Sequence, residues 1–546
     1  MISLLGAAFL SAVLRDELRN SRPYVAWALL GIVVVGAALR LLISEPVQME
    51  ARPWSNGRVV PLAQVIYDGP VLGWAASRGG TFYLTDVIFT TNLLLAIATP
   101  AVLFAYARLL FRDDVRALAA AGLIALLPEH IRFSHSDVAQ IESVLTSALT
   151  FVALYTFLQH PSRRWRVCSG VAMTILAAAT YRVRPENIVF FPLDVFALWV
   201  IARAGVPRAR VAAAAVLVVA LGAFGWVARP LVYSPGERLL AAAWDAVQVL
   251  PDPVMNTLLN PSVTPVVMLV VAVVGAAALW KHERARAVFL LGWLAFFFFA
   301  ESAVIGETLA MQARYHLHLA VPFVLLCAAG IPRVLRLPRA PRAAVVMLVV
   351  LSPALHLPFE RDVDFYELRE FQFLEALRAK IPEGCTVLEF QPELPPGPVP
   401  AGEGTLEASR VARVCAHRGP RAPWTVVPLA TFDVGAEKER LSDRARVILA
   451  HEPRGCEMFF EGLTCRSHRG PTERVAPVCR EVGERRHLVL VADASVRGRG
   501  IVWWRGVAGR FRDTALGGAA TAGILEGSAV PLRLWRDEPS PTVQDP

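Results

Sequence analysis

Eleven apolar runs constrain this chain more than any other feature, covering residues 24–43, 86–110, 117–132, 139–159, 167–182, 187–203, 211–228, 263–280, 286–301, 316–332 and 343–357. A helix crossing a hydrocarbon layer of about 30 Å needs roughly 20 residues. The runs at 117–132 and 167–182 fall short of that, so ten or twelve spans also suit the pattern. Of the 546 residues 55% are hydrophobic and only 18% charged, and the mean hydropathy of +0.47 is too high for a soluble domain. The sequence therefore predicts an α-helical polytopic membrane protein with about 11 transmembrane helices.

The formal net charge of +9 could suggest nucleic acid as a partner. The basic residues instead sit in short connections between apolar runs: 112–116, 163–166, 203–210, 281–286 and 333–342. The opposite connections, 44–85, 133–138, 183–186, 229–262 and 302–315, are mostly longer and carry fewer basic residues per position. This alternation follows the positive-inside rule, puts the N-terminus in the cytoplasm and excludes a nucleic-acid partner. Residues 1–14 are apolar but too short to span, and Arg15, Arg19 and Arg22 follow them rather than precede them. That order predicts a helix lying on the cytoplasmic surface, not a cleavable signal.

An odd number of spans places the remainder outside, giving a membrane domain over 1–357 and a soluble extracytoplasmic domain over 358–546. The composition changes there. Residues 364–380 carry apolar positions at helical spacing, and 386–390, 424–428, 446–450, 487–491 and 530–535 read as strands of a small α/β domain. Five of the seven cysteines (Cys385, Cys415, Cys456, Cys465 and Cys479) lie in it, without a CxxC pair. An oxidising compartment allows one or two disulfides there, with Cys456 and Cys465 nearest in sequence.

Carboxylates, arginines and histidines meet the membrane mainly on the outer side. Glu45, Glu50 and Arg52 follow the first run, with Trp54 behind them at a depth suited to an interfacial aromatic. The segment 128–137 brings His135 and Asp137, with Glu142 just inside the next run. Arg184 lies in Tyr181-Arg-Val-Arg-Pro185, and Arg314 and Tyr315 lie in 312–318. A carboxylate opening an outer loop can serve as a base toward lipid-borne substrates, or simply end a helix in water. An arginine at a span end can bind phosphate oxygens in a bidentate fork or snorkel to anchor its helix. His316 and His318, two apart on a helix, face different ways and make a poor metal pair. Asp194, within an apolar run, reads as a helix–helix contact.

Several of these segments, in this order, resemble the GT-C superfamily of polyprenyl-phosphate-sugar-dependent glycosyltransferases, in the style of protein O-mannosyltransferases and aminoarabinose transferases. They are Leu39-Arg-Leu with its acidic loop, Tyr67-Asp-Gly-Pro-Val-Leu72, Phe104-Ala-Tyr-Ala-Arg108, the stretch from Arg132 to Glu142, Tyr181 to Pro185, and Ala313 to Pro322. The resemblance covers 24–357. It implies an integral membrane transferase moving a sugar from a polyprenyl-phosphate donor to a lipid, glycan or protein acceptor on the extracytoplasmic face. It also implies a setting in the bacterial inner membrane. The family's base is an Asp or Asp-Glu in the first outer loop, where this chain reads Met49-Glu50. Glu50 is then the expected catalytic base. Arg52, His135, Asp137, Glu142, Arg184, Arg314 and Tyr315 are the expected substrate-binding residues, and no metal or cofactor is assigned. The Trp-Trp-Asp motif of oligosaccharyltransferases is missing, which argues against that branch. A flippase for lipid-linked saccharides and a non-catalytic scaffold are the rival readings. Charges at span ends rather than mid-membrane disfavour the flippase.

Overall fold

The computed structural model describes residues 2–44, 81–136, 139–183, 187, 190–202, 206–227, 258, 264–305 and 317–362, and strands at 386–390, 425–429, 457–461, 466–467, 474–475, 488–496, 499–502, 523–526 and 530–537. The helices are α1 (Ile2–Arg19), α2 (Pro23–Ile43), α3 (Thr81–Phe111), α4 (Asp114–Ala125), α5 (Pro128–Arg132), α6 (Ala139–Gln159) and α7 (Arg163–Val183). They continue with α8 (Phe190–Ala202), α9 (Arg208–Val227), α10 (Val266–His282), α11 (Arg284–Ile305), α12 (Ala320–Val334) and α13 (Arg339–Asp362). The described residues of each expected apolar run fall largely on helix, and residues 2–14 fall within α1.

Local chemistry sets the boundaries. Pro23 stands in the first turn of α2, where a missing N–H costs nothing. Arg112 takes a left-handed conformation, φ 55°, and closes α3. Asp113 then caps α4 by accepting from the Arg116 N–H at 2.9 Å. One expectation needs correction: the run 117–132 is not one continuous helix. Leu127 is extended before Pro128, so α4 ends at Ala125 and the five-residue α5 begins a new direction. Continuous hydropathy concealed that break.

Among the described residues four segments are long and apolar enough to cross a membrane: Pro23–Ile43, Thr90–Phe111, Gln140–Gln159 and Leu317–Val334. Large apolar side chains remain exposed on outer faces, among them Trp27, Leu41 and Leu42 of α2, Val270 and Val273 of α10, and Met347 and Val350 of α13. A water-soluble surface would hide such stripes, whereas lipid accepts them. The protein is an integral membrane protein. Helix α6 is buried on nearly every face and forms the centre of the bundle. Around its Phe151 gather Tyr106 of α3, stacked at 5.6 Å, and Trp293 of α11, at 4.8 Å. Helices α10 and α12 cross through Gly275 and Gly330, where a Cβ on Gly275 would stand 1.8 Å from the Leu326 carbonyl oxygen. Small residues at such a crossing let two backbones touch.

In the C-terminal region the strands are β1 (Thr386–Phe390), β2 (Thr425–Leu429), β3 (Glu457–Glu461), β4 (Arg466–Ser467), β5 (Arg474–Val475), β6 (Leu488–Val496), β7 (Arg499–Val502), β8 (Gly523–Glu526) and β9 (Val530–Asp537). Five form a mixed sheet in the order β2-β1-β3-β9-β6, with β1 parallel to both neighbours and β9 antiparallel to both of its own. β3 was not expected from the sequence. The expected helix at 364–380, the strand at 446–450 and the Cys456–Cys465 pair lie outside the described residues.

Candidate functional site

The two ends of the bundle differ in chemistry. At one end the short basic connections meet acidic partners. Asp114 receives Arg108 Nε at 3.0 Å and the Ser21 hydroxyl at 3.0 Å. Glu283, between α10 and α11, receives Arg116 at 2.8 Å and is also paired with Arg286. Burial alone would raise the Glu283 pKa, but hydrogen bonds from Arg116 and Arg286 carry it below the ordinary carboxylate value. His160 Nε2 lies 3.4 Å from Asp16, and Arg210 donates to the Leu158 carbonyl at 3.1 Å. The connections at 112–116 and 281–286 are therefore ion-paired to each other at this end, and Arg210 of 203–210 adds a bond to a backbone carbonyl.

The other end buries its polar groups instead. Arg40, near the end of α2, is fully buried, although an arginine closing an apolar run would ordinarily snorkel. Its guanidinium donates to the carbonyls of Gly36 at 2.9 Å, Ala125 at 3.1 Å and Ile124 at 3.1 Å. Its Nη2 also meets His130 Nδ1 at 2.7 Å. Two of those carbonyls have lost their regular helical donors where α4 stops before Pro128. Helix α5, between these groups and α6, is buried throughout, and its Arg132 pairs with Glu129 at 3.3 Å.

The turn after α5 is held from two sides. Ser44 Oγ donates to the Arg40 carbonyl at 2.5 Å and lies 3.2 Å from Ser134 Oγ. On the other side Asn92 of α3 donates to the Ser136 carbonyl at 2.7 Å. His135, half-buried, sits between those anchored serines. The first turns of α6 add fully buried Gln140, Glu142 and Ser143. The Asn187 amide bridges Ser143 Oγ at 2.9 Å and the Thr180 carbonyl at 2.7 Å, drawing in the end of α7. His318, before α12, is buried and stacks on Phe297 at 5.1 Å.

Of the residues expected to form the site, His135 and Glu142 lie in this buried polar region. Glu50, Arg52, Asp137, Arg184, Arg314 and Tyr315 lie outside the described residues. Asp194 accepts from the Tyr181 hydroxyl at 2.5 Å, the helix–helix contact expected of it. Among the described residues no group of three His, Cys, Asp or Glu gathers in a way that could hold a metal. Sequence reasoning missed Arg40, His130, Asn92 and Asn187 as members of this region. Arg40 had a usable signal, since it falls in a segment that carried the family resemblance, and His130 lies in the polar segment 128–137. Asn92 had only its polarity within an apolar run.

The fold has known counterparts. The chain is similar to the Archaeoglobus fulgidus oligosaccharyltransferase in its apo form, at 13% identity and a TM-score of 0.51, over 81% of this chain and 70% of that one. It is also similar to the archaeal oligosaccharyltransferase AglB from Archaeoglobus fulgidus in complex with an inhibitory peptide and a dolichol-phosphate. That match has 13% identity and a TM-score of 0.49, over 80% of this chain and 70% of that one. No protein-family model matches the sequence, and no curated protein matches it. At this identity the likeness is one of fold alone.

Proposed function

We propose that the protein is a membrane glycosyltransferase that moves a sugar from a polyprenyl-phosphate donor to an acceptor on the extracytoplasmic side, with inversion at the anomeric carbon. The observation that carries the proposal is the asymmetry of the bundle within this fold. Buried polar side chains concentrate at one end, around His135 and Glu142, while the other end carries ion-paired connections. A protein of similar fold is the Archaeoglobus fulgidus oligosaccharyltransferase, itself a sugar transferase by name.

In this reading the bundle crosses the membrane about eleven times and residues 358–546 form the extracytoplasmic α/β domain. Glu50 accepts the proton of the acceptor hydroxyl or amide as that atom attacks the anomeric carbon. The bond from that carbon to the phosphate oxygen breaks, and the polyprenyl phosphate departs as an anion needing no proton. Arg184 and Arg314 offset its charge. Arg52, His135, Asp137, Glu142 and Tyr315 hold sugar and acceptor.

The test is incubation of the purified protein in bilayers with a panel of polyprenyl-phosphate hexoses and pentoses, following both sugar release and transfer. Release or transfer with one donor supports the transferase. Donor that crosses the bilayer intact, with neither release nor transfer, replaces it with the flippase reading.

A further inference from the structure

Arg40 can only donate hydrogen bonds. Its contact with His130 Nδ1 at 2.7 Å therefore requires that nitrogen to accept, which fixes His130 as the neutral imidazole with its proton on Nε2. Arg40 thus places the four donors of its Nη1 and Nη2 on three carbonyls and one ring nitrogen, drawn from α2, the end of α4 and α5. Its positive charge lies near the C-terminal ends of α2 and α4, where helix dipoles favour a cation. Gly36 leaves the space for it, since a Cβ there would stand 3.1 Å from Ala125 Cβ and 3.3 Å from Arg40 Nη1.

The lock does not end at His130. Ser44, one turn beyond Arg40, bonds the Arg40 carbonyl and contacts Ser134, and the Ser134 hydroxyl donates to the Ile131 carbonyl at 2.7 Å. Ser136 is tied to the Phe133 carbonyl at 2.6 Å and, through its own carbonyl, to Asn92. We propose that Arg40 and His130 form a positioning pair that holds the α5 turn against α2 and so sets His135 and the following Glu142 in the site. The proposal rests on the reading above that these two residues line the sugar or acceptor pocket. Neither Arg40 nor His130 need touch substrate. A substituted partner shifts the turn, and a misplacement of about 1 Å at a site can cost roughly 100-fold in rate.

The test uses the full chain in lipid nanodiscs and two independent readouts. The first is structural. In protein labelled with 15N-histidine, and assigned by loss of the signal in His130→Asn, His130 should show a bare Nδ1 and a protonated Nε2. Hydrogen–deuterium exchange of amides 131–136 should rise about tenfold or more in His130→Leu and Arg40→Lys. It should stay within about threefold of wild type in His130→Asn, whose side-chain oxygen replaces the Nδ1 acceptor. The second readout is transfer from the polyprenyl-phosphate sugar panel. His130→Leu should lower kcat about 10- to 100-fold with donor KM within about twofold, and His130→Asn should restore most of kcat.

A protonated Nδ1, or unchanged exchange in both His130→Leu and Arg40→Lys, would overturn the lock. A rise in KM with kcat preserved would overturn the positioning role, as would equal losses in the Asn and Leu variants. Wild-type protein inactive with every donor would sink the functional reading instead, and the exchange and 15N readouts would still decide the lock. Should His130→Leu fail to fold, Ser134→Ala tests the same chain of contacts by the same readouts, with the same expected rise in exchange.

Discussion

The crossing of α10 and α12 gives the sharpest prediction about stability. In Gly275→Ala the new methyl carbon would start 1.8 Å from the Leu326 carbonyl oxygen and 2.8 Å from the Gly330 nitrogen. Both are backbone atoms, so no side chain can rotate aside. An ordinary carbon–oxygen contact is about 3.3 Å, so the helices must part by roughly 1.5 Å. A gap of even about 1 Å forfeits up to half the dispersion energy of the atoms facing it. The Cys327 Sγ contact with the Met268 carbonyl, 3.1 Å, would be lost as well. Overpacking of this kind costs about 1–3 kcal/mol and occasionally more, and backbone contact puts this site at the upper end. The control is Gly31→Ala, where a Cβ meets nothing within 4 Å. There the change should be neutral or stabilising by up to about 1 kcal/mol through helix propensity. The assay is the fraction of monodisperse protein left after a fixed heating time in detergent. Gly275→Ala should fall several degrees below wild type and Gly31→Ala should not. Equal midpoints for the two variants would refute the close crossing.

Three further outcomes follow from contacts at other levels of the bundle. Tyr181→Phe leaves the buried Asp194 carboxylate without its donor and should cost about 1–3 kcal/mol, measured by the same heating assay. Unchanged stability would mean that Asp194 finds another partner. Glu283 has its pKa held below the ordinary value of 4.5 in the folded state. Its contribution is therefore present above about pH 4.5 and lost as the pH falls through the lower folded value. Glu283→Gln should flatten that acid-side loss, and an unaltered pH profile would count against the pairing. In cells carrying a variant with all seven native cysteines replaced by serine, Ser442→Cys should react with a membrane-impermeant maleimide and Arg164→Cys should be protected. The reverse pattern would invert the proposed topology.

Much of the bundle was legible because membrane helices announce themselves by apolar length. The run 24–43 became Pro23–Ile43 almost residue for residue. The break inside 117–132 was harder to see, because Leu126, Leu127 and Pro128 keep hydropathy high while the backbone turns. Arg40 shows a different limit. Read along the chain it ends an apolar run beside an acidic loop, and the natural inference is a cation reaching for water. Only the folded bundle brings the last carbonyls of α4, some 85 positions later, to its guanidinium. Such long-range pairing leaves no periodic trace. His135 and Glu142 were legible as outer polar residues, whereas Asn92 and Asn187 were not, since a lone amide in or beside an apolar run looks the same whether or not it bridges helices. In the C-terminal region β1 matched its apolar run, but β3 (Glu-Met-Phe-Phe-Glu) is short and acid-flanked, and its strand identity comes from pairing with β1 and β9.

The central claim is that an acid after α2 acts as base in sugar transfer. Glu50→Gln tests it most directly, because it preserves shape and hydrogen bonding while removing proton acceptance. Loss of a general base costs about 10²–10⁴-fold. With a polyprenyl-phosphate sugar that the wild type uses, and at matched folded protein, Glu50→Gln should bind donor normally and lose transfer by that factor. Glu45→Gln should stay near wild type. Near-normal transfer by Glu50→Gln would contradict the account.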